Sequence, residues 1–143
     1  MLDAGRHPLI EILTCSELVA LHGDFPRFVA TVRKNPRFVR EDLCTGCGDC
    51  EKVCPVVAPN PFDAGLKARK AIYRPFAQAV PSSYLIDRET CLNKEFLACG
   101  HCMKACQRKA VDFDMAPQDR KLRVGSVVIA SGFDPFDASL LGR

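Results

Sequence analysis

The chain has 143 residues, the length of about one domain. Its 48% hydrophobic and 26% charged residues sit near the globular average, which excludes a disordered or fibrous chain. No apolar run approaches the ~20 residues of a membrane-spanning helix, and a formal charge of +3 is too slight and too scattered for a nucleic-acid interface.

The opening Met1-Leu2-Asp3-Ala4-Gly5-Arg6 carries no basic patch followed by an apolar stretch, so no secretory signal is read there and a cytoplasmic location is expected. The unusual figure is nine cysteines. In a reducing compartment, clustered thiols hold metal rather than form disulfides.

Residues 1–40 read mostly as strands. Residues 9–13 form one apolar run, 17–21 another, and 27–33 alternate with the period of a half-buried strand. Gly23-Asp24 supplies a turn, so a small antiparallel meander is expected before Asn35-Pro36 breaks the pattern. From 41 to 114 the texture changes. Eight cysteines fall there, with Pro55, Pro59, Pro61, Pro75 and Pro81, which predicts a loop-rich middle with at most short helices. Residues 121–130 return to strand character and end in Ser131-Gly132. The reading is an α+β chain in three segments: 1–40, a cysteine-rich insert over 41–114, and a returning strand in 115–143. Such a pattern fits a compact domain inserted into a loop of a larger β-containing domain.

Cys47, Cys50 and Cys54 map onto Cys99, Cys102 and Cys106 at one constant offset, and Ala58 maps onto Ala110. That repeat predicts a duplicated half-domain. The first group, Cys44, Cys47, Cys50 and Cys54 followed by Pro55, spells C-x2-C-x2-C-x3-C-P. This is the bacterial ferredoxin run, in which three cysteines hold one four-iron cluster and the fourth reaches the other. Thiolates three residues apart on a loop with Gly46 and Gly48 can wrap one corner of a cubane, with backbone N–H groups turned towards sulfide. The second group departs from it. The position equivalent to Cys44 is Phe96, the fourth thiolate comes from Cys91 on a longer loop, and Gln107 replaces the proline. Cross-ligation assigns Cys44, Cys47, Cys50 and Cys106 to one [4Fe-4S] cluster, and Cys54, Cys91, Cys99 and Cys102 to the other. With their thiolates, two such oxidised clusters turn the formal +3 into about −1.

The alternative is structural zinc. Cys44 and Cys47 with Cys99 and Cys102 imitate a paired C-x2-C site, but Cys50, Cys54, Cys91 and Cys106 would then be stranded. Cys15, outside both groups, reads as a buried thiol acting as a small apolar residue. His101 sits between two ligands, where it can fill a variable slot or donate to a cluster sulfur. His7 and His22 have no companions at ligand spacing. Lys67, Arg69, Lys70 and Arg74 read as a solvated basic face or, second, a docking surface for an acidic electron partner. Gly46-Cys47-Gly48 is no dinucleotide fingerprint, and no catalytic acid, base or nucleophile stands out.

Several stretches resemble the flavoproteins of the heterodisulfide reductase A-subunit family. They are Asp3-Ala4-Gly5-Arg6-His7-Pro8, Val32-Arg33-Lys34-Asn35-Pro36-Arg37-Phe38-Val39 and the first cysteine run. They continue in Pro59-Asn60-Pro61-Phe62-Asp63-Ala64-Gly65-Leu66, Arg69-Lys70-Ala71-Ile72-Tyr73 and Pro75-Phe76-Ala77-Gln78-Ala79-Val80-Pro81. The end, Ser126-Val127-Val128-Ile129-Ala130-Ser131-Gly132-Phe133-Asp134-Pro135-Phe136-Asp137, is similar to the family's strand leading into an Ala-Thr-Gly-Phe turn, with Ser131 for the threonine.

The resemblance implies an electron-transfer protein within a larger oxidoreductase. Its two-cluster ferredoxin-like domain is inserted between β-strand segments of a flavin-binding, thioredoxin reductase-like domain. It implies FAD in the full-length protein, and partners among other heterodisulfide reductase-like subunits and redox proteins such as ferredoxin or hydrogenase and dehydrogenase subunits. The glycine-rich flavin fingerprint is missing from this sequence. The chain therefore reads as a fragment with an incomplete flavin-binding domain, not binding FAD or catalysing by itself. A free-standing ferredoxin-like carrier and a zinc-stabilised, non-redox interaction module are the other readings.

Overall fold

Residues 28–34, whose sequence alternates, form the central strand of the three-stranded sheet. A computed structural model describes residues 2–94 and 98–132. Its elements in chain order are α1 (Leu2–Arg6), β1 (Ser16–His22), β2 (Phe28–Lys34), α2 (Asp49–Lys52), β3 (Ala58–Pro59), β4 (Ala68–Arg69), β5 (Ile72–Tyr73), β6 (Leu85–Ile86), α3 (His101–Ala105) and β7 (Gln118–Val124). A 3-10 turn, Pro61–Asp63, lies between β3 and β4.

β1 and β2 form an antiparallel hairpin, with an irregularity between Leu18 and Ala20 that leaves Val19 as the extra residue. Gly23 opens its turn at φ 91°, where a Cβ would lie 2.4 Å from the Arg27 carbonyl oxygen; only glycine fits. On the other side of β2, β7 pairs antiparallel without a slip, from Phe28 opposite Val124 to Lys34 opposite Gln118. The segments before and after the cysteine-rich stretch thus meet in one three-stranded sheet of order β1-β2-β7. This register puts Leu18, Leu21, Phe28, Ala30, Val32, Leu122 and Val124 on one face. Arg33 and Asp119 share the other face, paired through two bonds of 2.8 and 3.0 Å.

Two strand expectations need correction. Residues 9–13 lie outside the sheet, and Leu9 is 88% exposed. Pro8 offers no ladder donor, and the chain closes a turn in which Ile10 N–H donates to the His7 carbonyl. The third strand of the sheet is β7. At the far end, residues 125–130 do not continue β7, and Val128 and Ile129 are largely exposed. The ladder stops because β2 begins at Phe28, opposite Val124, just past the turn holding Pro26. Of the closing turn Ala130-Ser131-Gly132-Phe133, Phe133 lies outside the described residues, as do 134–137 and Phe96.

A separate core gathers Val39, Ala71, Ile72, Tyr84, Ile86, Ala110 and Val111 around Cys50, Cys91 and Cys102. The middle of the chain is more ordered than its prolines predict, because β3 pairs β4 and β5 pairs β6. The two connections between sheet and core also pair with each other. Arg40 N–H donates to the Ala110 carbonyl at 2.7 Å, and Asp112 N–H to that of Phe38 at 3.0 Å. Arg88 lies between the rings of Phe38 and Phe113, 5.2 and 5.3 Å from their centroids. The buried Arg37 guanidinium donates to Thr14 Oγ1 at 2.8 Å and to the Ser83 carbonyl at 3.2 Å, and stands 3.5 Å from Glu41. It therefore ties the strand entry to the first cysteine loop.

Candidate metal centre

Each half of the repeat places its cysteines with one short helix. Cys50 is the second residue of α2 and Cys102 the second residue of α3; both are buried and the helices pack together. Gly48 precedes α2 at φ 89°, and Gly46 lies between Cys44 and Cys47 at φ 70°. A Cβ on Gly46 would meet the Ser82 carbonyl oxygen at 2.8 Å. The loop therefore folds as it does because glycine occupies both positions.

The eight cysteines fall into two groups around two cavities. Cys44, Cys47, Cys50 and Cys106 line one of about 170 Å³, together with Val39, Tyr84, Ala110 and Val111. Cys54, Cys91, Cys99 and Cys102 line the other, which is narrower at about 20 Å³ and walled by Val56, Ala71, Ile72, Ile86 and Leu92. Cys106 thus sits with the first cysteine run, and Cys54 with the second group. Available room favours the first site more directly. Residues 95–97, between Cys91 and Cys99, lie outside the described residues. Among the described residues, no three His, Cys, Asp or Glu side chains close on a single-ion point. Ligands of one zinc would each lie about 2.0–2.3 Å from such a point.

The thiols reinforce one another electrostatically. Burial pushes Cys50 up to about 12, and its neighbours Cys44, Cys106 and Cys47 push the same way. Burial raises Cys102 to about 11, with Cys91 and Cys54 adding to it. Buried thiolates packed this closely need a compensating positive charge, which iron or zinc supplies. Backbone N–H groups also point at sulfur: Ala110 donates to Cys106 Sγ at 3.3 Å and Asn93 to Cys91 Sγ at 3.5 Å. Four thiols per cavity, apolar walls and donors aimed at sulfur fit an iron–sulfur group by chemistry.

Tyr84, which the sequence did not single out, lines the first cavity at 4% exposure and donates to Glu51 Oε2 at 2.8 Å. Its phenol is held protonated by burial and by that carboxylate. His101 is exposed and borders the second cavity, His7 Nδ1 accepts from Leu9 N–H, and His22 lies exposed on β1. Cys15 is exposed rather than buried, at a bend with φ 53° before the edge strand β1. The basic run is also not uniformly solvated. Arg69 is largely buried, 2.5 Å from Asp87 and stacked over Tyr73 at 4.1 Å.

Residues 38–60 match the 4Fe-4S binding domain family. Over 140 residues, 98% of its length, the chain is 46% identical to the iron-sulfur A-subunit of the CoB–CoM heterodisulfide reductase of Methanocaldococcus jannaschii, covering 20% of that protein. It is 47% identical over 139 residues to the A-subunit of the H(2)/formate:CoB-CoM heterodisulfide,ferredoxin reductase of Methanococcus maripaludis, 97% of this chain and 20% of the relative. With the A-subunit of the ferredoxin:CoB-CoM heterodisulfide reductase of Methanosarcina acetivorans it shares 42% over 139 residues, 97% of this chain and 17% of the relative. Among the described residues no helix is long and apolar enough to cross a membrane. The chain spans about a fifth of the length of these relatives, and along nearly all of its own length it is similar to one segment of these heterodisulfide reductase A-subunits, with a 4Fe-4S binding domain match at residues 38–60.

Proposed function

We propose that the chain relays single electrons through two [4Fe-4S] clusters as part of a flavin-dependent oxidoreductase. Cys44, Cys47, Cys50 and Cys106 would hold one, and Cys54, Cys91, Cys99 and Cys102 the other. The observation that carries this is the sorting of eight cysteines, distant in sequence, into two groups of four around separate cavities. When bound, a four-iron cluster takes up and gives back one electron. The chain's own part is to hold the thiolates, exclude water with Val39, Ile72, Ile86 and Val111, and aim N–H donors at sulfur. Cys54 and Cys106 each follow a helix that carries a ligand of the opposite group, and the two helices pack together.

The sheet β1-β2-β7 supports the rest of the reading. Both ends of the cysteine-rich segment return to it, as an insertion between strands of a larger domain requires. Segments 1–40 and 115–143 then belong to a flavin-binding host and 41–114 to the insert, with FAD held by the remainder of the full-length protein. Partners are other heterodisulfide reductase-like subunits and a ferredoxin-type or dehydrogenase-type redox protein, and the location is cytoplasmic. Anaerobic reconstitution of the chain tests the proposal. Brown protein with about eight irons and eight sulfides per chain supports it, and iron near zero refutes it.

A further inference from the structure

The two halves of the repeat match in their cysteines but differ in charge. Glu51 follows Cys50 on α2; at the same offset, Met103 follows Cys102 on α3. Glu51 borders an open cleft with Cys47, Gly48, Lys52, Arg69 and Lys70, whereas the walls of the second cavity named above are aliphatic. Tyr84 fixes the carboxylate. Its hydroxyl donates to Glu51 Oε2 at 2.8 Å, and it lies so close to the cysteine loop that a Cβ on Gly48 would stand 3.1 Å from it.

Of the cations around the site, Arg69 is held by Asp87, and neither Lys70 in the cleft nor Arg108 on the first cavity forms an ion pair with Glu51. Asp49 is paired with Lys52 at 2.9 Å, and among the described residues no cation forms an ion pair with Glu51. Arg74 is engaged elsewhere, donating to Ser82 Oγ at 3.1 Å with its guanidinium 5.9 Å from the centre of the Tyr84 ring. A fixed negative charge at a partly buried position opposes the arrival of an electron close by, and salt screens it less than it screens a surface charge.

We infer that Tyr84 positions the Glu51 carboxylate beside the first group of cysteines and so lowers the reduction potential of that site alone. The inference rests on the two-cluster reading. Its effect is to separate the potentials of two sites with the same ligands, which gives the relay a direction.

The test is a mediated redox titration of the reconstituted chain, followed by electron paramagnetic resonance. The first site is identified as the wave lost in Cys106→Ala. Glu51→Gln should move that wave to less negative potential and leave the other in place. Tyr84→Phe, which frees the carboxylate to swing into water, should move the same wave in the same direction by less. In the double variant the shift should equal that of Glu51→Gln alone, because Tyr84 acts through Glu51. Asp119→Asn, which removes a carboxylate paired with Arg33 on the three-stranded sheet, serves as the control and should move neither wave.

An unmoved first wave in Glu51→Gln overturns the inference. So does an equal shift of both waves, or a Tyr84→Phe shift that persists undiminished in the Glu51→Gln background. Failure of the wild-type chain to load iron would instead refute the two-cluster reading, so the two failures are distinguishable.

Discussion

Replacing Gly46 or Gly48 by alanine separates backbone strain from steric conflict inside one cysteine loop. Both residues have positive φ, 70° and 89°, so alanine costs about 1–2 kcal/mol at either position. They differ in what the new methyl meets. At Gly46 it would stand 2.8 Å from the Ser82 carbonyl, in backbone leading straight into the buried Ser83 and Tyr84. At Gly48 it would stand 3.1 Å from the Tyr84 hydroxyl, the far end of a side chain that can give by tenths of an ångström. Overpacking against an immovable group costs about 1–3 kcal/mol, so Gly46→Ala should be the less stable of the two by about that much. Because the two glycines flank the same cysteine, Cys47, an effect passed through that ligand is common to both and leaves the difference. Anaerobic urea unfolding of the reconstituted variants, followed by far-ultraviolet circular dichroism, reads it out. With an m-value of about 1–3 kcal/mol/M, the midpoints should differ by about 1 M. Equal midpoints, or Gly48→Ala as the weaker variant, would refute the steric argument.

Three further outcomes follow from the same geometry. Cys106→Ala should cut iron from about eight to about four per chain and remove the resonance of the site shared with Cys44, Cys47 and Cys50; loss confined to its sequence neighbours Cys99 and Cys102 would contradict cross-ligation. Ile72→Ala, at 1% exposure beside the second cavity, should destabilise the chain by about 2–5 kcal/mol, measured by the same urea assay; a change near zero would mean this core is not packed as described. In the metal-free chain, the Cys50 thiol keeps its proton up to about pH 12, whereas an unfolded cysteine releases it near pH 8.5. The folded state then binds more protons, so stability should fall as pH rises from about 8.5 towards 12. Urea midpoints at pH 7 and pH 10 check the sign, and a rise would contradict it.

The cysteine spacing made both groups legible, because ligand intervals of two and three residues follow from the size of the bound group and the pitch of a helical turn. β2 was legible from its alternating sequence and β1 from its apolar run, although burial does not alternate along either strand. Residues 9–13 misled because an apolar run carries no information about whether a neighbouring strand exists, and Pro8 with the His7 turn removes the chance of one. The premature end of β7 was hidden likewise: its stop is set by where β2 begins, over ninety residues earlier. Tyr84 was missed because its role comes from packing across the core and from a hydrogen bond to Glu51 that no local pattern signals. Cys15 misled because thiols are so often buried that residue type outweighed its place at the bend before an edge strand.

The most direct measurement is the number of iron and acid-labile sulfide atoms bound per anaerobically reconstituted chain, taken with the spectrum before and after dithionite. Eight ligands in two groups predict about eight of each, and a visible absorption that bleaches on reduction. Colourless protein holding stoichiometric zinc, with no response to dithionite, would contradict the account at its root.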